Sequence, residues 1–127
     1  MPTRLLLSPH FSIEEFDCHD GMHVPQPAIA PLRFLAVEVL EPLRNAFGVV
    51  TITSGYRTPH ENGLAGGAVD SCHLYDTHPT TPAVDFTCHT GTPRQWYDWL
   101  TQRIHAGGIG WYASHVHVDL RQTQARW

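Results

Sequence analysis

The chain has 127 residues, 42% hydrophobic and 16% charged, which suits one domain spanning 1–127 and excludes a disordered chain. Its net charge is -4, and its eight basic residues are all arginine and form no run, so nucleic acid is excluded as a partner. Ten histidines are the compositional anomaly; most suit surface or turn positions, and two or three are expected to serve a site.

The start, Met1 to His10, has only Leu5, Leu6 and Leu7 in a row, too short for the apolar part of an export signal. No stretch is long enough to span a membrane. Ser12-Ile-Glu-Glu15 has capping-box spacing and predicts a short helix with Ile13 and Phe16 as its apolar contacts. Cys18-His-Asp-Gly21 then ends it. A Cys next to a His can ligate a metal, but no second pair matches this one, so a helix-ending turn is the better reading. The three cysteines, Cys18, Cys72 and Cys88, form no C-x-x-C and exclude a disulfide framework. A Cys72–Cys88 bridge stays open outside the cytoplasm, and three free thiols is the preferred reading.

Pro25, Pro27 and Pro31 punctuate the entry to a long amphipathic helix. Ile29, Leu32, Leu35, Ala36, Val39, Leu40, Leu43 and Phe47 mark its buried stripe, with a kink expected at Pro42 and a stop at Gly48. Val49 to Thr53 is β-branched throughout and reads as a buried strand. Ser54 to Pro59 breaks it, and His60 to Ala68 suits a short helix ending at Gly66-Gly67. Ala83 to Thr87 reads as a second strand. Thr92-Pro93 with Gln95 opens another helix, carrying Trp96, Trp99, Leu100 and Ile104 and ending at Gly107-Gly108. Ile109 to Tyr112 and His115 to Leu120 then suggest a hairpin. This order predicts an α+β domain with helices packed on a small antiparallel sheet.

The alternation in His115 to Leu120 puts His115, His117 and Asp119 on one strand face and Val116, Val118 and Leu120 on the other. That polar face meets either solvent or a site. His73 and Asp85 offer the same ligand chemistry elsewhere, and a catalytic zinc takes three protein ligands with one position left for water. His73, Asp85 and His117 would supply two imidazoles and a carboxylate. A binuclear lactamase-type site fits less well because Leu120, not a histidine, follows Asp119. A non-haem iron site needs a distal histidine, and none follows Asp119.

Several segments in order complete a pattern: F-S-I-E-E-F, I-T-S-G-Y-R-T-P-H-E-N at 52–62, G-G-A-V-D-S-C-H at 66–73, A-V-D-F at 83–86, G-G-I-G-W-Y at 107–112 and H-V-H-V-D at 115–119. In these the chain resembles the zinc D-Ala-D-Ala carboxypeptidase and murein endopeptidase family, which shares the hedgehog/DD-peptidase fold. The resemblance implies a monomeric peptidase with one zinc per chain, cutting amide bonds in peptidoglycan stem peptides. It assigns the metal to His73, Asp85 and His117. It gives Arg57 to the substrate or the oxyanion, a task suited to a permanently charged, bidentate guanidinium. Ser71 and Asn62 match positions that support the site and border the substrate.

Two departures from the family pattern follow. Asp85 lies twelve residues after His73 rather than seven, so five extra residues sit inside the motif, and Asp76 or His78 becomes a rival ligand. Such an insertion costs little closure entropy. Several relatives also place an acid where Ser114 stands. His115 is then the favoured acid/base, since an imidazole exchanges protons near neutrality. Asp119 is either a second catalytic candidate or an orienting partner for a ligand. The missing acid keeps alive a non-catalytic, zinc-containing peptidoglycan-binding module, and a purely structural metal is a third reading. The implied place of action is the cell wall, in the periplasm or outside. It would be reached as a phage or prophage lysis enzyme (an endolysin) or after a leader is removed.

Overall fold

The computed structural model describes residues 5–127, so the first four residues of the stretch weighed as an export signal lie outside it. Leu6–Ser8 (β1) and Phe11–Ser12 (β2) pair as a small antiparallel sheet, an element that the sequence pattern did not announce. The short helix expected after Ser12 is one 3-10 turn, Ile13–Phe16, and the Ser12 N–H donates to the Glu15 carboxylate at 2.7 Å. The next segment turns back through Gly21. Cys18 is buried in the core and His19 bonds the Thr53 carbonyl at 2.9 Å, so this pair serves the turn.

The long helix is present with a different relief at its proline. Ile29–Leu35 (α1) runs through a π turn at Ala36–Leu40 into Glu41–Phe47 (α2). Pro42 lacks an N–H and its ring crowds the preceding turn. The chain widens there, and the Glu41 N–H bonds the Ala36 carbonyl five residues back. Leu32, Leu35, Leu40 and Leu43 are fully buried, and Gly48 stops the helix with a φ of 83°.

Five strands form the main sheet: Val50–Ser54 (β3), Ala83–Cys88 (β4), Gly108–Trp111 (β5), Val116–Asp119 (β6) and Ala125–Arg126 (β7). Their order is β3-β4-β6-β5-β7. Two expectations are corrected here. The sheet is mixed rather than antiparallel, because β7 runs parallel to β5. The segment 49–53 is an edge strand, not a buried one: Val50 and Ser54 are buried while Thr51 and Thr53 face solvent. β-branching signals extended backbone and does not report how many neighbours cover a strand.

Two further helices connect the strands: Pro59–Leu64 (α3), capped by the Thr58 hydroxyl, and Pro93–Arg103 (α4), capped by Thr92 with Gln95. α4 stops at Arg103, short of the glycines expected to end it. Trp96 and Leu100 on α4 join Val84, Phe86, Val116, Val118 and Ile109 in one core with the long helix. That core occupies one face of the sheet. The opposite face of the two central strands is also buried, but there it carries Asp85, His117 and Asp119. No described helix is long and apolar enough to cross a membrane.

Candidate metal centre

Strand pairing builds the site. Asp85 in β4 lies directly opposite His117 in β6, and alternation turns both away from the face that buries Val84, Phe86, Val116 and Val118. His73 arrives from the loop after α3. One ligand atom each from His73, Asp85 and His117 falls within 4.8 Å of the others, and all three residues are buried.

Each imidazole is held from behind. The His73 Nδ1–H donates to the Gly55 carbonyl at 2.7 Å, which leaves Nε2 as a lone pair 3.2 Å from Asp85 Oδ1. The His117 Nε2–H donates to Asp119 Oδ2 at 2.8 Å, which leaves Nδ1 facing the same Asp85 oxygen at 3.0 Å. Three electron-pair donors thus converge with no hydrogen between them when the rings are neutral. A cation resolves that conflict. A tetrahedral zinc with bonds of about 2.1 Å holds its donors roughly 3.4 Å apart, so the set fits zinc, and the outward N–H bonds are the usual support for ligating histidines.

The electrostatics agree. Burial pushes the Asp85 carboxyl up, but bonds from His117 and His73 outweigh it and hold the group well below the usual carboxylate range. Burial likewise opposes charge on Asp119, and His117 and Arg121 overcome it. His117 is disfavoured as a cation by burial, yet Asp119 and Asp85 raise its pKa above the usual value. Asp119 stands on the far side of His117 from Asp85. It also accepts from the Gly108 N–H at 3.0 Å and from Arg121, with Nη2 at 2.7 Å.

The remaining candidates separate into those that face the cleft and those behind it. Arg57 Nη2 lies 3.3 Å from Asp85 Oδ2, its Nε–H donates to Ser54 at 3.0 Å, and its Nη1 reaches Asn62 at 3.4 Å. Asn62 is buried behind Arg57 and also donates to the Ala68 carbonyl at 2.8 Å. Gly67 must be bare there, because a Cβ would sit 2.1 Å from the Asn62 oxygen. The Ser71 hydroxyl accepts from the His73 N–H at 3.1 Å and lines the cleft. His115 Nε2 is 3.9 Å from Asp85 Oδ2, and its ring stacks on Tyr112. The rivals lie elsewhere: Asp76 accepts from the Tyr56 hydroxyl at 2.5 Å, and His78 pairs with Asp70 at 2.7 Å. Cys18, Cys72 and Cys88 are all free thiols.

These groups open on a cleft of about 630 Å³ lined by Tyr56, Arg57, Ser71, His73, Asp85, His115 and His117. Tyr112, Arg121 and Trp127 also line it, and sequence reasoning passed over all three. One signal was available: Gly110 inside a strand marks a close approach, and a Cβ there would meet the Trp127 indole at 2.2 Å.

A model of the peptidase M15 family matches residues 9–119. Comparisons with curated proteins and with solved structures find no match. The matched stretch contains His73, Asp85 and His117 and extends over most of the sequence, and the chain belongs to the peptidase M15 family.

Proposed function

We propose that the chain is a single-domain, zinc-dependent peptidase of the hedgehog/DD-peptidase fold that hydrolyses amide bonds in peptidoglycan stem peptides, as a D,D-carboxypeptidase or murein endopeptidase. The carrying observation is the set of three converging donors whose outward N–H groups are already engaged, open to a cleft that also holds Arg57 and His115.

His73 Nε2, Asp85 and His117 Nδ1 would hold one zinc per chain. Zinc held there supplies Lewis acidity and brings the pKa of a coordinated water towards neutrality. His115 takes the proton of the attacking water at Nε2 and returns it to the departing amine. Its stacking on Tyr112 and the 3.0 Å contact between Ser114 Oγ and Nδ1 fix the ring for this exchange. Arg57 keeps donors free after its three contacts and presents them to a substrate carboxylate or to the developing oxyanion. Ser71 and Asn62 serve by holding His73 and Arg57, and Asp119 by orienting His117. The site of action is the cell wall, and the working unit is a monomer.

The experiment is release of D-alanine or shortened muropeptides from purified peptidoglycan, with and without a chelator. Chelator-sensitive release with one bound zinc per chain is the expected result. One zinc per chain with no product under any condition would overturn the enzyme reading in favour of a binding module.

A further inference from the structure

The strand order fixes what lies on each side of the three converging groups. Arg57 follows β3, Asp85 is on β4, His117 is on β6, and Tyr112 and Trp127 follow β5 and β7. Across the order β3-β4-β6-β5-β7 the cation and the aromatic pair therefore flank the centre on opposite sides. The four interstrand steps span roughly 19 Å, the length of five to six extended residues.

The two sides differ in chemistry. The segment leaving β3 lines the cleft with Arg57, Glu61, Asp70 and Ser71. On the other side Tyr112 is 42% exposed and Trp127 41% exposed, although both line the cleft. Neither ring is loose. The Trp127 indole N–H donates to the Tyr112 hydroxyl at 2.7 Å, and its backbone pairs with Ile109 and Trp111 of β5. The indole lies over bare Gly110, 5.1 Å from the His117 ring. Arg121 is the charged side chain beside it, and Asp119 already compensates that guanidinium, which rests 5.2 Å from the Trp127 ring. A rigid aromatic wall left open beside a reactive centre favours an apolar group and disfavours a charge that would lose its hydration there.

We infer that Trp127 and Tyr112 form a specificity wall for an uncharged, alkyl-bearing substrate residue on the amino side of the scissile bond, with the substrate carboxylate over Arg57. The inference rests on the peptidase reading for the position of that bond. Trp127 is the specificity-determining residue and Tyr112 braces it.

The test uses zinc-loaded protein and synthetic peptides with a free C-terminal carboxylate, varied only at that position between alanine or leucine and aspartate or lysine. The alkyl peptides are expected to show a KM about tenfold lower, and Trp127→Ala to raise that KM about tenfold while kcat and bound zinc hold. Trp127→Phe, which keeps an aromatic face and packs more safely, retains most of the preference. An equal loss for all peptides, or loss of zinc, would overturn the inference and make Trp127 a support for His117. Titration followed by tryptophan fluorescence separates the two readings when no peptide is cut. Selective binding of alkyl peptides sustains the wall and overturns the peptidase; unselective or absent binding overturns the wall.

Discussion

Arg57 bonds Ser54, Asn62 and Asp85 at once, which a guanidinium can do and an ammonium cannot. Arg57→Lys is therefore expected to lower kcat/KM on the order of 100-fold while one zinc per chain remains bound, read by steady-state kinetics and metal analysis. His115→Gln is expected to lower kcat by roughly 10²–10³-fold with zinc retained, because His115 is not among the three converging residues. His117→Ala should instead lose the metal, since its ring supplies one of three donors. At this scale much was legible in the sequence. His73 and Asp85 stood out as ligand types, and their partnership survives the five-residue stretch between them. Arg121 and Trp127 did not stand out, because an arginine two residues past a strand and a late tryptophan carry no periodic signal. Their importance comes from pairing with Asp119 and Gly110, contacts distant in sequence or local but unpatterned.

The inserted segment between His73 and Asp85 is a packed element rather than a slack loop. Tyr75 is fully buried and its hydroxyl donates to the Ala83 carbonyl at 2.7 Å. Asp76 accepts from Tyr56, the residue next to Arg57, and burial together with that carboxylate holds the phenol above its usual pKa, so the hydroxyl stays a donor. Asp76→Ala leaves that buried hydroxyl unpaired and is expected to cost about 1–3 kcal/mol, measured by denaturant unfolding. Tyr56→Phe removes both halves of the problem, and the double variant should lose little more than Tyr56→Phe alone.

The hairpin β1–β2 is tied to α2 in a different way. Glu41 accepts from the Ser8 hydroxyl at 2.6 Å and the His10 N–H at 2.8 Å. Burial raises its pKa, but these bonds outweigh it and the folded value lies below the usual one. The contribution is thus fully present above the unfolded pKa and is lost as pH falls through the folded one. Glu41→Gln should destabilise by about 1–2 kcal/mol at neutral pH, with the difference shrinking below about pH 4 in thermal melts. Helices were the legible elements, since α1, α2 and α4 declare themselves by period and caps. The two-residue strands β2 and β7 are too short to show any alternation, and so the parallel pairing of β7 was invisible.

For the whole molecule, metal and fold should be coupled. Three acceptors buried together repel one another without a cation, so a chelator is expected to lower Tm and zinc to restore it. At free zinc about 100-fold above Kd the linkage is worth about 2.7 kcal/mol, readable by calorimetry. The α+β class was legible from the run of elements, while the strand order was not, because β4 and β6 pair past an intervening helix and strand.

That pairing has a consequence for how the chain reaches its native state. Asp85 sits opposite His117, and Val84 opposite Val118, in adjacent rungs of one ladder. A slip of one residue would swing both polar groups into the helices and expose both valines. The choice that seals the interior and the choice that assembles the reactive groups are one event during folding. An ion added to the unfolded chain finds two histidines far apart in sequence, and it meets all three donors only after the register has been chosen by the apolar face.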